Sequence, residues 1–254
     1  MRIYYGNQID PSGITMSSST VSSDSSASYA ANPFRTVRWK TGTTTASEWL
    51  GVQITTVPTI TGCCIIDHNL TAGDTVWINA SNTAGFPLGT LLLHQAIPIT
   101  TTGIVEASFT GVAAQYWELN ITKPSAGVQR YVGAWFLGSY YDTPEQPDFD
   151  GYTEEYVDPS RITKSLGGQT YSEQLSKYST LKTKFSYIDQ TFIDNLATVY
   201  SSVGSTRPVV VRVDSTGSLA KLWYARISKN VQRQVTGYDG SLKYNASMEF
   251  EELV

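Results

Sequence analysis

The chain has 254 residues, of which 41% are hydrophobic and only 16% charged, and its formal net charge is -4. That length suits two domains of ordinary size better than one large core. A charge fraction below the roughly 25% typical of soluble domains leaves solubility to Ser, Thr, Asn, Gln and Tyr. With 12 basic and 11 acidic residues over 151–254, and an acidic excess before that, no concentrated basic face is available for nucleic acid. No run of 18 apolar residues provides a membrane-spanning helix.

The opening MRIYYGNQI reads as a short strand, with no apolar run and cleavage site of a secretory leader. The Ser-rich stretch Thr15 to Ser28 has neither helical nor strand period and is expected to be a surface segment. In NPFRTVRWKTG, residues Phe34, Val37 and Trp39 predict a partly buried turn and strand, and SEWLGVQIT predicts the next strand. CCIIDHNL is the most apolar strand. Its Cys63 and Cys64 are adjacent, so they point to opposite faces and read as free, buried thiols of a reducing compartment. TVWINAS alternates, with Val76 and Ile78 on one face and Trp77 on the other. LGTLLLHQAI, IVEASF, AQYWELNIT and RYVGAWFLGSYY follow, separated by turn residues. Short strands at this spacing predict an antiparallel β-sandwich of jelly-roll type over residues 1–138.

Residues 139–170 carry Asp142, Glu145, Asp148, Asp150, Glu154, Glu155 and Asp158, with no basic side chain among these acids. Prolines and aromatic rings favour an extended strap over a helix. It is either a solvated acidic linker or a contact arm for a basic face of a neighbouring subunit, with Asp148, Glu154 and Glu155 meeting Lys182, Lys184, Arg226, Lys229 or Arg233. Its carboxylates lack the spacing of a calcium loop.

Residues 171–254 predict a smaller β-rich assembly domain with one helix. LSKYSTLKTKFSYI is a strand; Asp189 is an N-cap for a helix over 190–201, whose Phe192, Leu196 and Val199 form one apolar face. RPVVVRVD, LAKLWYARIS and YNASMEFEEL are strands.

Little here can do chemistry. His68 and His94 both read as structural strand residues; no GxSxG, Walker, GxGxxG or HExxH pattern occurs. The expectation is a protein without enzymatic activity, metal or cofactor. Trp39, Trp49, Trp77 and Trp117, near Arg38, Asn79 and Asn82, serve either core and subunit contacts or the stacking of a sugar ring.

In their order, the segments VRWKTG, EWLGVQI and IDHNL resemble a galactose-binding-like (discoidin-type) domain found in tail proteins of tailed phages. GAWFLGSYY, the segment from DPSRITKSLGG to KFSYI, and the ending YNASMEFEEL are similar to phage tail or baseplate-associated proteins. The resemblance implies a virion tail component made in the host cytoplasm, forming a ring-like homo-oligomer beside other tail proteins. The alternative it leaves is a carbohydrate-binding module touching host-surface glycans through Trp39, Trp77, Arg38 and Asn79.

Overall fold

The computed structural model describes residues 1–9, 13–33, 36–100, 103–148, 151–214 and 221–253, the side chain of Asn230 excepted. Phe34, Asp150 and residues 219–220 of a predicted strand lie outside the described residues. The chain is mainly β and divides into two compact units, 3–141 and 142–254, the latter including Met1 and Arg2.

The first unit is an antiparallel sandwich. One sheet runs in the order β2 (Ile14–Ser18), β4 (Ser47–Ile54), β9 (Tyr116–Thr122), β6 (Thr75–Ser81), β7 (Leu93–Ala96). The other runs β1 (Arg2–Tyr5), β10 (Tyr131–Asp142), β5 (Thr59–His68), β8 (Ile104–Ala113), with β3 (Trp39–Lys40) also paired to β10. Leu50, Val52, Val76, Ile78, Trp117 and Leu119 from the first sheet share one core with Cys63, Ile65, Val105, Trp135 and Leu137 from the second. The period-2 alternation read along β6, and present in β4 and β9 as well, makes this possible, since Leu50 and Val52, Val76 and Ile78, and Trp117 and Leu119 each share one face of their strand.

The Ser-rich stretch departs from expectation. Ile14–Ser18 is a strand on the sheet edge, and Ala27–Ala31 forms a short 3-10 turn capped by Ser26. Edge pairing needs backbone groups more than β-favouring side chains, and Ile14 and Met16 still pack onto the core.

Cys63 and Cys64 are buried thiols outside any disulfide, and burial pushes the Cys63 thiol up to about 12, which leaves it inert. His68 is 3% exposed, and its Nδ1 accepts the Leu70 N–H at 3.2 Å. Burial pushes the imidazole down to about 4, against the pull of Asp67 and Asp74. Its folded form therefore stays neutral where the unfolded chain, with an ordinary value near 6.5, takes up a proton. Stability from this site is intact above pH 6.5 and is lost between there and pH 4, by on the order of 3 kcal/mol. Urea unfolding at pH 7, 5.5 and 4.5 checks this: His68→Asn, which keeps an acceptor but does not titrate, flattens the profile. An equally steep fall in that variant would overturn the assignment.

The second unit is a five-stranded antiparallel sheet, β11 (Thr153–Val157), β14 (Tyr178–Ile188), β17 (Leu242–Glu252), β16 (Leu222–Tyr238), β15 (Pro208–Arg212), with one helix, α1 (Gln190–Val203). Asp189 caps the helix by accepting the Phe192 N–H at 2.8 Å, and Gly204, at φ 58°, ends it. Phe192, Ile193, Leu196, Val199 and Val203 are buried, as are Tyr244, Ala246, Met248 and Phe250 along β17. The helix packs on β16 and β17. A separate hairpin, β12 (Arg161–Lys164) and β13 (Thr170–Glu173), has every strand residue exposed.

Candidate functional site

The outer face of the five-stranded sandwich sheet concentrates side chains that a sandwich core does not require. β6 turns Trp77, Asn79 and Ser81 outward; in register on β9 stand Asn120, Glu118 and Tyr116. β4 adds Trp49, Gly51 and Gln53, and β7 adds His94 opposite Asn79. The loop after β6 folds back over part of this face. Phe86 lies above Gly51, where a Cβ would come within 2.6 Å of its ring, so only glycine leaves the space. Phe86 stacks on Trp49 at 5.3 Å and meets Tyr116 edge-on at 6.1 Å.

A hydrogen-bond relay fixes the polar groups. Glu118, buried, accepts the Leu88 N–H at 2.9 Å and the Asn79 Nδ2 at 3.0 Å. With its amide nitrogen committed to Glu118, Asn79 turns its Oδ1 to His94 Nδ1 at 2.8 Å. Since that oxygen can only accept, His94 donates to it from Nδ1. The same ring stacks on the Trp77 indole, centroids 4.0 Å apart and planes 7° apart. Trp77 is half-buried, with one face of its indole covered by His94. What results is an aromatic platform with oriented donors and acceptors at its rim.

Of the residues singled out from sequence, Trp77 and Asn79 come together here. Trp39 does not: it is 0% exposed in the core, on β3 of the opposite sheet, and offers no ring face to a ligand. Arg38 is held in a two-pronged pair with Asp67, Nε–Oδ2 2.6 Å and Nη2–Oδ1 3.2 Å, and its guanidinium lies 4.6 Å from the Tyr131 ring centre. Trp117 is buried and donates to the Ala114 carbonyl, and Asn82 ties the end of β6 to the β8–β9 turn, donating to the Ala113 carbonyl and accepting the Gln115 N–H. Glu118, Asn120 and Phe86 escaped the sequence reading, which gave His94 only a structural place on its strand. Glu118 and Asn120 share the parity of Tyr116 in YWELNIT, but only the register reveals what stands beside them.

The acidic strap finds partners in its own chain. β11 pairs with β14; Glu154 meets Lys221 at 3.0 Å and Glu155 meets Lys182 at 3.3 Å. Asp148 accepts the Ser186 hydroxyl at 2.5 Å, and Arg226 and Lys229 pair with Glu251 and Glu249. Glu154 and Glu155 are thus answered by cations of the same subunit. Lys184 and Arg233 line an open groove of about 540 Å³ with Gln232, Asn245 and Ser247.

Among the described residues, no group of three or more His, Cys, Asp or Glu is placed to hold a metal ion, and no helix is long and apolar enough to cross a membrane. No protein-family model matches the chain, and no curated protein matches it either. Similar solved structures include chitosan-binding module 1 of a chitosanase/glucanase from Paenibacillus sp. IK-5, at 20% identity and TM-score 0.42, over 52% of this chain and 97% of that one. The family 32 carbohydrate-binding module of C. perfringens NanJ, solved with galactose, is similar at 16% identity and TM-score 0.41, over 55% and 99% of the two chains. A fucose-binding module of Streptococcus pneumoniae matches at 12% identity and TM-score 0.42, over 53% and 95%. These likenesses concern fold, over about half of the chain.

Proposed function

We propose that the chain is a non-catalytic glycan-contact protein, reading sugars on the Trp77 face of its sandwich unit. The observation that carries this is the Trp77 indole clamped by His94, itself oriented through Asn79 and Glu118. A pyranose ring has an apolar face of C–H groups that stacks on an indole, and equatorial hydroxyls that meet groups at its rim. Such a platform costs little to order, because its rings are already fixed before a ligand arrives. Wild-type protein on a glycan array is expected to retain a defined subset of sugars; binding to none at millimolar concentration would overturn the reading.

A second reading, a structural component of a phage tail end or baseplate ring, is supported by the β12–β13 hairpin. A two-stranded sheet alone is marginally stable, and this one holds Ile162, Leu166 and Tyr171 out to solvent, with Tyr156 exposed on β11. A neighbouring copy or another tail protein would cover them, and a heterologous contact of that kind closes rings. The two readings are compatible in a virion protein, assembled in the host cytoplasm, that touches host glycans. Native mass measurement is expected to give a homo-oligomer that Ile162→Ser with Leu166→Ser shifts at least tenfold toward monomer. A wild-type protein monomeric at high concentration and absent from any tail particle would exclude this second reading.

A further inference from the structure

We infer that the outer face of the second unit's sheet holds a separate binding site for a sugar acid, a pyranose bearing one carboxylate. Tyr244, Ala246, Met248 and Phe250 bury one face of β17, so Asn245, Ser247 and Glu249 stand on the other. Three cross-strand rows follow on that outer face: Lys182, Glu249, Lys229; then Lys184, Ser247, Gln232; then Asn245 beside Gln234.

The rows differ in how their polar groups are used. In the first, Lys229 pairs with Glu249 at 2.7 Å, and Lys182 pairs with Glu155 at 3.3 Å. In the other two, nothing among the described residues partners the Lys184 ammonium, the Gln232 and Gln234 amides or the Ser247 hydroxyl. These four line one open groove of about 540 Å³ with Asn245. The sheet thus answers its charges at one end and leaves a set of donors and acceptors unspent at the other.

Two local features shape the groove. A Cβ on Gly151 would come within 2.6 Å of the Lys184 Cβ, so bare backbone lies against the lysine stem. Tyr187 sits in a bulge of β14 at φ 61°, a left-handed conformation that a bulky residue keeps only where its surroundings impose it. Its N–H donates to Asn245 Oδ1 at 3.2 Å, and its ring lies against Gly237. With Oδ1 committed there, Asn245 is left with Nδ2 as a donor.

This chemistry selects the ligand. Sugar hydroxyls both donate and accept, and so do glutamine amides and a serine hydroxyl. One ammonium among uncharged groups matches one carboxylate. A phosphate or sulfate polymer calls for a basic stripe, which 12 basic and 11 acidic side chains over 151–254 do not provide. A peptide strand would need a free sheet edge, whereas β17 is paired on both sides, to β14 and β16. The sugar acid sets its carboxylate on Lys184 and its hydroxyls over Ser247, Gln232, Gln234 and Asn245. No residue is shared with the Trp77 face, so the two sites stand or fall separately.

The experiment is calorimetric titration of the full chain with a hexuronate disaccharide and a sialic-acid-terminated trisaccharide, each beside its carboxyl-reduced neutral counterpart. At least one acidic sugar is expected to bind about fivefold or more tightly than its counterpart, the scale of one charge-assisted contact at an open site. Lys184→Met is expected to abolish that preference, and Lys184→Arg to retain it. Both positions tested, Lys184 and Gln234, are exposed, so circular dichroism is expected to match wild type. Gln234→Ala is expected to weaken the acidic sugar by about threefold. In nitrogen-15 spectra the side-chain NH2 signals of Gln232, Gln234 and Asn245 are expected to shift with the acidic sugar. Equal affinity for both acidic and neutral forms, a preference that survives Lys184→Met, or shifts confined to the Trp77 face would overturn this site and leave the Trp77 reading intact. Binding of none of the four sugars would overturn it too, while the array still decides the Trp77 reading.

Discussion

Lys123→Met is expected to lower the stability of the sandwich unit by about 3–5 kcal/mol, the cost of leaving a buried charge without its partner. Lys123 and Glu48 both have side chains 0% exposed, with Nζ and Oε1 3.3 Å apart. Glu48 points inward from β4 along with Leu50 and Val52. Burial by itself would push its carboxyl up. The hydroxyls of Ser19, Thr20 and Thr45, with the Lys123 ammonium, outweigh that and hold it below the usual carboxylate range. The carboxylate thus ties the segment after β2 to β4 and to the end of β9. Methionine fills the volume of the lysine stem but supplies no charge, leaving three hydroxyls to satisfy an anion in the core. Chemical denaturation should report the full loss, and a thermal midpoint should fall by about 10 °C. Adding Glu48→Leu is expected to recover much of it, because the double variant buries neither charge. A single variant within about 1 kcal/mol of wild type would show that water reaches this pair and that it carries no such weight.

That pair also shows where sequence reading stops. Glu48 in SEWLGVQI looks like a solvated strand residue until Lys123 is placed beside it by the β4–β9 register. Alternation exposes a strand's two faces but not the neighbour across the ladder. The sandwich strands β4, β6 and β9 were legible because one outer face leaves them polar positions between apolar ones, and β5 and β10 because strands buried on both faces read as short continuous apolar runs. Helix α1 was legible because Asp189 and the Phe192, Leu196, Val199 stripe are local signals. The edge strand β2 and the hairpin β12–β13 were not, since RITK and TYSE bury no face of their own. Trp39 and Trp77 make the same point at the site. Both lie in strands with polar neighbours, yet one is sealed in the core and the other stacks on His94 at the surface. The strap's acids were visible as a cluster, while their partners Lys221 and Lys182 are set by packing and by the β11–β14 pairing.

Trp77→Ala is expected to weaken glycan binding by about 30-fold or more, the signature of a central aromatic anchor worth at least about 2 kcal/mol. The loss has two parts. The indole face that stacks on the sugar disappears, and His94 loses the ring that holds it parallel at 4.0 Å. Asn79 still accepts from His94 Nδ1, so the imidazole remains tethered at one atom but free to swing. His94→Ala should therefore cost less than Trp77→Ala, because the indole survives it, and the double variant should be no weaker than Trp77→Ala alone. Non-additivity of that kind is the mark of two groups acting as one platform. Folding should change little, since Trp77 sits half-buried on the outer face, whereas Trp117→Ala, in the core, should cost about 3–5 kcal/mol. Titration of the sugars retained on the array, with urea midpoints measured beside it, separates the two effects. Trp77→Ala binding within twofold of wild type, on a protein that still folds, would remove the platform from the recognition of any sugar.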